Sequence, residues 1–311
     1  MPTVHDQALI WLQQLKDRKH HPVALSTLKT YSSVFYTWIM PNMGAIELGA
    51  VTNKMLRDLV TLMHAKRMSP VTIRTAVSAV RAIIASDIDS QTGDRKVKFE
   101  FNPAFVDLPS IDKRKQKAPT AARAEVETAI SRALADGSQS AMLYAILAGT
   151  GLRISEALAI RVGPVLTELT YWDPKESIVR VQSQIHKGVE GAPKSSAGYR
   201  DIDLPQELNL WLVDRAVDIR THKDKLFDKS LDFFKRDLKK YGIPGFHCFR
   251  RFRATHLRAV RAPEDLIRYW MGHTSVQVTD RYSKLSEQID FRRSEVEKIG
   301  LGFSLGGNNG A

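Results

Sequence analysis

Residues 271–282 read Met271-Gly-His-Thr-Ser-Val-Gln-Val-Thr-Asp-Arg-Tyr282, which sets His273 nine residues ahead of Tyr282. Upstream, His247-Cys-Phe-Arg250 falls in a helical stretch, so His247 and Arg250 share one face at i and i+3. Further back, Thr150-Gly-Leu-Arg-Ile-Ser-Glu-Ala-Leu158 puts glycines before a helix, with Arg153 in its first turn and Glu156 three residues on. Between these lies Pro193-Lys-Ser-Ser-Ala-Gly-Tyr-Arg-Asp-Ile-Asp-Leu-Pro205, which places Lys194 at the tip of a hairpin. Four separated segments thus each expose a side chain able to meet a phosphate.

The surrounding pattern is mainly helical. Ala121–Asp136 and Ser140–Ala148 read as helices, as does nearly everything from Pro205 to Lys298. Ser177–His186, rich in β-branched residues, and Tyr199–Leu204 predict a small antiparallel hairpin around the Gly- and Pro-containing turn Gly188–Gly198. The tail Gly300–Ala311 ends in Gly-Gly-Asn-Asn-Gly-Ala and is expected to be mobile.

The first hundred residues predict a four-helix bundle. Ala8, Leu9, Leu12 and Leu15 recur at helical spacing, as do apolar residues across His21–Met40, which Pro41 and Gly44 end. Thr52 is placed to cap a helix through Lys66, and Ser69-Pro70 carries the cap-then-proline signature of another, to Asp87. On that last helix Arg74, Ser78 and Arg81 form one polar stripe, with Lys66 and Arg67 just before it. The stripe reads either as a solvated face or as one that contacts phosphates. Periodicity stops after Pro103, and the polar run to Pro119 is basic at Lys113, Arg114, Lys115 and Lys117. The division predicted is a helical domain over 1–106, a basic linker over 107–120, a second domain over 121–299 and a tail over 300–311.

Charge agrees with that division. The 311 residues carry 46 Lys+Arg against 34 Asp+Glu, a formal net charge of +12, of which residues 1–117 hold +7 and the rest +5. Such a field attracts polyanions and quickens encounter at low salt, but it specifies no fold, and a basic enzyme without a nucleic-acid partner remains the bland alternative. With 43% hydrophobic residues the chain can bury a core, which argues against a mainly disordered protein. No stretch approaches the roughly 20 apolar residues of a membrane span. The N-terminus lacks the pattern of a signal peptide, and the single Cys248 excludes an intramolecular disulfide and multi-cysteine metal sites. A reducing, cytoplasmic setting is expected.

Taken in order, these motifs resemble the tyrosine recombinases, the phage integrase family, over both domains. The family pattern is an Arg in G-T-G-L-R-x-x-E, a hairpin Lys, H-x-x-R, G-H and a Tyr nine residues later. It falls here on Arg153, Glu156, Lys194, His247, Arg250, His273 and Tyr282. The resemblance implies that 1–106 is the DNA-binding domain, a core-binding, SAM-like helical bundle, and 121–299 the mostly helical catalytic domain, the two closing as a clamp around duplex DNA. It implies site-specific recombination through a 3′-phosphotyrosyl intermediate, by a tetramer on two paired sites. The helix and apolar residues of Leu285–Leu305 would dock on a neighbouring protomer or fold back on their own domain. It further implies a prokaryotic, phage or mobile-element context at the nucleoid, with room for accessory DNA-bending proteins. No cofactor, metal or membrane partner is expected. The bundle begins within the first dozen residues, so simple sites without distal arm sequences are favoured.

The residue types suit this chemistry on first principles. A side-chain oxygen that takes over the phosphate preserves the ester's energy until a second DNA hydroxyl attacks. Tyr282 can reach a backbone phosphate but is protonated at neutral pH, so its proton needs an acceptor. Arg153 and Arg250 offer permanently charged forks to the non-bridging oxygens, where negative charge develops, and no clustered Asp/Glu set of the two-metal kind is present. His247 would assist proton transfer, His273 would donate a hydrogen bond to the phosphate, and Lys194 would protonate the leaving 5′ oxygen. Glu156 would orient its neighbours.

Competing readings stand beside each. Arg153 could simply begin a helix, Glu156 could be a surface acid, and each histidine could be structural. Lys187 rivals Lys194, which is preferred because K-S-x-x-G-x-R-x-I-x-L-P follows it directly. Tyr241, Tyr269, Trp270 and Cys248 are expected to pack. A type IB topoisomerase, or a DNA-binding protein that has lost catalysis, are the alternatives in function.

Overall fold

The computed structural model describes residues 1–20, 23–111, 119–163, 168–186, 188–193, 195–216, 225–273 and 285–306. The chain divides into two compact units, Met1–Lys117 and Ala118–Ala311.

The first unit is helical: α1 Val4–Lys16, α2 Leu25–Val34, α3 Met40–Met43, α4 Asn53–Ala65, α5 Pro70–Ala85 and the single turn α6 Pro103–Val106. Local chemistry starts these helices where the sequence predicts. Thr52 accepts the Met55 N–H at 3.4 Å and Ser69 the Thr72 N–H at 3.1 Å, each satisfying an orphan donor of a first turn. In α1 the inward line is Val4, Ala8, Trp11 and Leu15, and Leu9, expected inside, is exposed. Pro41 does not end the second helix. A π turn over Phe35–Ile39 joins α2 to α3, and Asn42 Nδ2 donates to the Trp38 carbonyl at 2.6 Å, so the proline is absorbed where the backbone ladder is already widened. Helix α5 is the spine, packed against α1, α2 and α4 through Ile73, Ala76, Val80 and Ile83. Residues 107–111, read as the start of the linker, sit with this unit: Leu108 packs on its core and the Pro109 carbonyl accepts Arg74 Nε at 2.9 Å.

The second unit opens with α7 Arg123–Ala135 and α8 Ser140–Thr150, whose eleven residues are all buried, as an unbroken apolar helix requires. After the short α9 Ile154–Ala157 come, among the described residues, the strands β1 Arg161–Val162, β2 Tyr171–Asp173, β3 Ile178–Val181, β4 Gln184–His186, β5 Val189–Gly191 and β6 Arg200–Asp203. The pairing of β3 with β6 is the expected antiparallel one, Val179 facing Ile202. It belongs to a larger sheet of order β1-β2-β3-β6, in which β1 and β2 run parallel, while β4 and β5 form a separate ribbon. Helices α10 Gln206–Arg215, α11 Leu231–Lys240, α12 His247–Ala259, α13 Glu264–Met271 and α14 Ile289–Ile299 complete the unit.

The tail corrects an expectation. Leu301, Phe303 and Leu305 are buried in the core of their own unit rather than mobile, and Phe303 meets Phe252 edge-on at 5.9 Å. Arg253 and His256 of α12 hold the backbone there, Arg253 Nη1 donating to the Gly300 carbonyl at 2.7 Å. In the single chain this segment packs on its own unit; residues 307–311 lie outside the described residues. Among the described residues no helix is long and apolar enough to cross a membrane.

Candidate active site

Four turns of the second unit meet where α8 ends, α9 and α12 begin and α13 ends. Gly151 takes φ +73° after α8, a left-handed conformation that a side chain would strain, and sits against the Met271 side chain of α13. Arg153 then caps α9 in extended conformation. Its N–H donates to Glu156 Oε2 at 2.9 Å and its Nη1 to Oε1 at 2.8 Å, while 41% of its side chain stays exposed and available to a ligand. Glu156 itself is 2% exposed.

Behind Glu156 sits a residue that sequence reasoning missed. Arg200, first in β6 and 5% exposed, donates Nη2 to Glu156 Oε2 at 3.0 Å, Nη1 to the Gly198 carbonyl at 2.9 Å and Nε to the Trp270 carbonyl at 2.8 Å. Burial would raise the Glu156 carboxyl, but the Arg200 charge and hydrogen bonds, helped by Arg153, outweigh it and hold the group below its ordinary value. The carboxylate is therefore a fixed anion clamped between two guanidinium groups. Arg200 belonged to the K-S-x-x-G-x-R run, so its presence was readable even though its burial was not.

His247 and Arg250 occupy the first turn of α12, the histidine exposed and the arginine 5% exposed. Arg250 Nη1 donates to the Gly151 carbonyl at 2.8 Å and Nη2 to that of Met271, which ties the α8 turn to the end of α13. Burial, then the charge of Arg153, push Arg250 down to about 10, so it stays cationic at neutral pH. His247 is held below the ordinary imidazole value by burial and by Arg251, Arg250 and Arg153. His273 is lowered by burial and by Arg250 and Arg153. The charges of Arg153 and Arg250 thus act on both imidazoles.

Gly272 aims the exposed His273. It ends α13 at φ +60°, and a Cβ on it would lie 2.9 Å from Arg200 Cζ and 3.0 Å from the Ala197 carbonyl oxygen. The Gly-His dipeptide therefore has a packing reason: the backbone must pass directly over Arg200.

Tyr282 and Lys194 lie outside the described residues, as does Lys187. The β4–β5 ribbon lies within the connection between the paired strands β3 and β6, the stretch that the sequence assigns to the turn carrying Lys194. The ribbon is fastened by Arg161, which grips Glu190 with two bonds of 2.9 Å, and by Ser183 Oγ, 2.6 Å from Glu190 Oε1. The two tyrosines that rival Tyr282 in sequence pack: Tyr241 donates to Asp136 at 2.9 Å, and the Tyr269 hydroxyl, pushed up by burial, accepts the Asp201 N–H at 3.3 Å. Trp270 and Cys248 are buried.

In the first unit Lys66 and Arg67 are exposed at the end of α4, and Ser78 and Arg81 are exposed on α5. Arg74 is turned to the Pro109 carbonyl and Arg81 lies over the Phe101 ring at 4.1 Å, so the stripe is partly committed to its own unit. Arg95, not singled out from sequence, joins Ser78 and Arg81 around a cleft of about 300 Å³. Lys113, Arg114, Lys115 and Lys117 lie outside the described residues. Among the described residues no group of three His, Cys, Asp or Glu side chains is placed to hold a metal ion.

The model of the phage integrase family matches residues 122–288, more than half the chain, and the chain belongs to that family, the tyrosine recombinases. Solved structures agree in fold. A Tn1549 transposon integrase in complex with a circular intermediate DNA superposes with a TM-score of 0.69 at 20% identity, covering 94% of this chain and 100% of that one. A lambda integrase dimer bound to a COC′ core site gives 0.61 at 15% identity, over 94% and 96%. A lambda integrase tetramer bound to a Holliday junction gives 0.57 at 15% identity, over 92% and 78%. No curated protein matches the chain significantly.

Proposed function

We propose that the chain is a site-specific DNA recombinase that cuts and rejoins duplex DNA through a covalent 3′-phosphotyrosyl link at Tyr282. The observation that carries the reading is the gathering of Arg153, His247, Arg250 and His273 where α8 ends, α9 and α12 begin and α13 ends, with Arg250 joined to the Gly151 and Met271 carbonyls. The forks hold the non-bridging oxygens of one phosphate and stabilise the charge that builds as the Tyr282 oxygen adds to phosphorus. Neutral His247 assists removal of the phenolic proton, and His273 donates to a phosphate oxygen. Lys194 protonates the departing 5′ oxygen. The phosphotyrosyl ester is later attacked by a 5′ hydroxyl of the exchanging strand, which releases Tyr282 and restores the phosphodiester. Glu156 and Arg200 orient Arg153 and transfer no proton.

Strand exchange needs two duplexes and four cuts, so the working form is a tetramer on paired sites, in the DNA-accessible interior of a prokaryotic or phage-infected cell. The integrases of like fold caught on circular intermediate DNA and on a Holliday junction support this reading. The first unit, with Lys66, Arg67, Arg74, Ser78, Arg81 and the Lys113–Lys117 run, contributes phosphate contacts whose binding falls steeply with salt.

The experiment is covalent trapping in cells: DNA recovered on the protein after denaturation should map to a discrete site with a defined crossover. Adducts spread over supercoiled DNA without a site would favour the topoisomerase reading, and no adduct would favour a binding protein.

A further inference from the structure

We propose that Arg292 and Asp203 are positioning residues for the nucleophile, fastening both flanks of the stretch that carries Tyr282 to strand β6. The inference rests on the assignment of Tyr282 above. Arg292 projects from α14 and is 1% exposed. Its Nε donates to Asp203 Oδ2 at 2.8 Å and its Nη2 to Oδ1 at 3.3 Å. Its Nη1 reaches the carbonyls of Leu285 at 2.6 Å and Ser286 at 2.9 Å. Leu285 follows Tyr282 by three residues, so the downstream flank of the nucleophile ends on this guanidinium.

The upstream flank ends on the same carboxylate. Asp203, 2% exposed, also accepts Trp270 Nε1 at 2.8 Å, and the Arg292 guanidinium lies over the Tyr269 ring at 5.2 Å. Both aromatics sit just before Gly272 and His273. The Trp270 carbonyl takes Arg200 Nε and that of Met271 takes Arg250, so the flank is tied at once to the phosphate-binding forks.

A buried ion pair is a weak device for stability, because an apolar pair of similar volume often serves as well. What the planar fork adds is direction: one rigid group fixes a carboxylate and two carbonyls together. Direction matters at a nucleophile, where an ångström of misplacement costs on the order of 100-fold in rate.

The test uses the full chain and a nicked duplex of the sequence recovered by covalent trapping. Arg292→Lys keeps the charge facing Asp203 but loses the fork. It should cleave on the order of 10- to 100-fold more slowly in single turnover, with unchanged affinity for the same duplex. The double variant Asp203→Leu, Arg292→Met replaces the pair by apolar volume. It should still melt as one cooperative unit above the assay temperature yet cleave as slowly, which separates positioning from folding. A 5′-bridging phosphorothiolate duplex, whose thiolate leaves without a proton, should restore cleavage by Lys194→Ala but not by Arg292→Lys. Wild-type cleavage by Arg292→Lys, an equal loss of affinity, or rescue by the thiolate overturns the proposal. If wild-type protein forms no adduct, or Tyr282→Phe still forms one, the nucleophile assignment itself falls and this inference with it.

Discussion

Arg200 Nη2 stands 3.0 Å from Glu156 Oε2, and neither residue is more than 5% exposed. This buried pair sets Arg153 from behind. Removing the carboxylate strands the Arg200 charge in a dry site, so Glu156→Ala should cost about 3–5 kcal/mol. Glu156→Gln, which keeps the acceptor, should cost less and lower cleavage more than DNA affinity. Chemical denaturation beside a cleavage assay measures both. The folded carboxyl titrates below its ordinary 4.5, so the pair's stability is complete above that pH and is lost as pH falls through the lower folded value. Glu156→Gln should remove that acid dependence.

His247 and His273 are both held below the ordinary imidazole value of 6.5. Neutral imidazole is the form needed to accept a proton at His247, so the acid limb of the second-order cleavage rate should lie below pH 6.5. Arg251 is the largest charge acting on His247, after burial. Arg251→Ala should raise the imidazole and move that limb upward, and a pH profile that does not move would contradict the assignment.

Arg153→Ala and Arg250→Ala should each slow cleavage by about 100- to 1,000-fold, as the loss of a donor to developing charge does, with a far smaller effect on DNA affinity. Single-turnover rates set against filter-binding affinities decide it. Equal losses would recast both as binding residues.

Gly272→Ala combines a left-handed backbone with a Cβ 2.9 Å from Arg200. The conformation alone costs about 1–2 kcal/mol, and the displaced guanidinium should loosen Glu156. A lowered melting temperature together with slow cleavage is expected.

The tail gives a purely structural prediction. Phe303, 5% exposed and packed against Phe252, should cost about 3–5 kcal/mol as Phe303→Ala, whereas a mobile tail would tolerate the change.

What could be read from the sequence was chemistry borne by residue type at short spacing: Gly-His, H-x-x-R and the glycines before Arg153. The helices of the first unit were readable where caps mark them, at Thr52 and Ser69. Strands β1 and β2, two and three residues long, are too short to show alternation. Pro41 misled because the π turn that accommodates it has no local signature. At the tail the terminal Gly-Gly-Asn-Asn-Gly-Ala pointed to mobility, whereas the apolar Leu301, Phe303 and Leu305 just before it are buried. The Arg292–Asp203 pair spans 89 residues and is a fact of tertiary structure alone.

One measurement bears most directly on the central claim. Wild-type protein incubated with the trapped-site suicide duplex should yield a denaturation-resistant adduct whose protease digest carries DNA, by its 3′ phosphate, on the peptide containing Tyr282, and Tyr282→Phe should yield none. An adduct of equal yield from Tyr282→Phe would contradict the account.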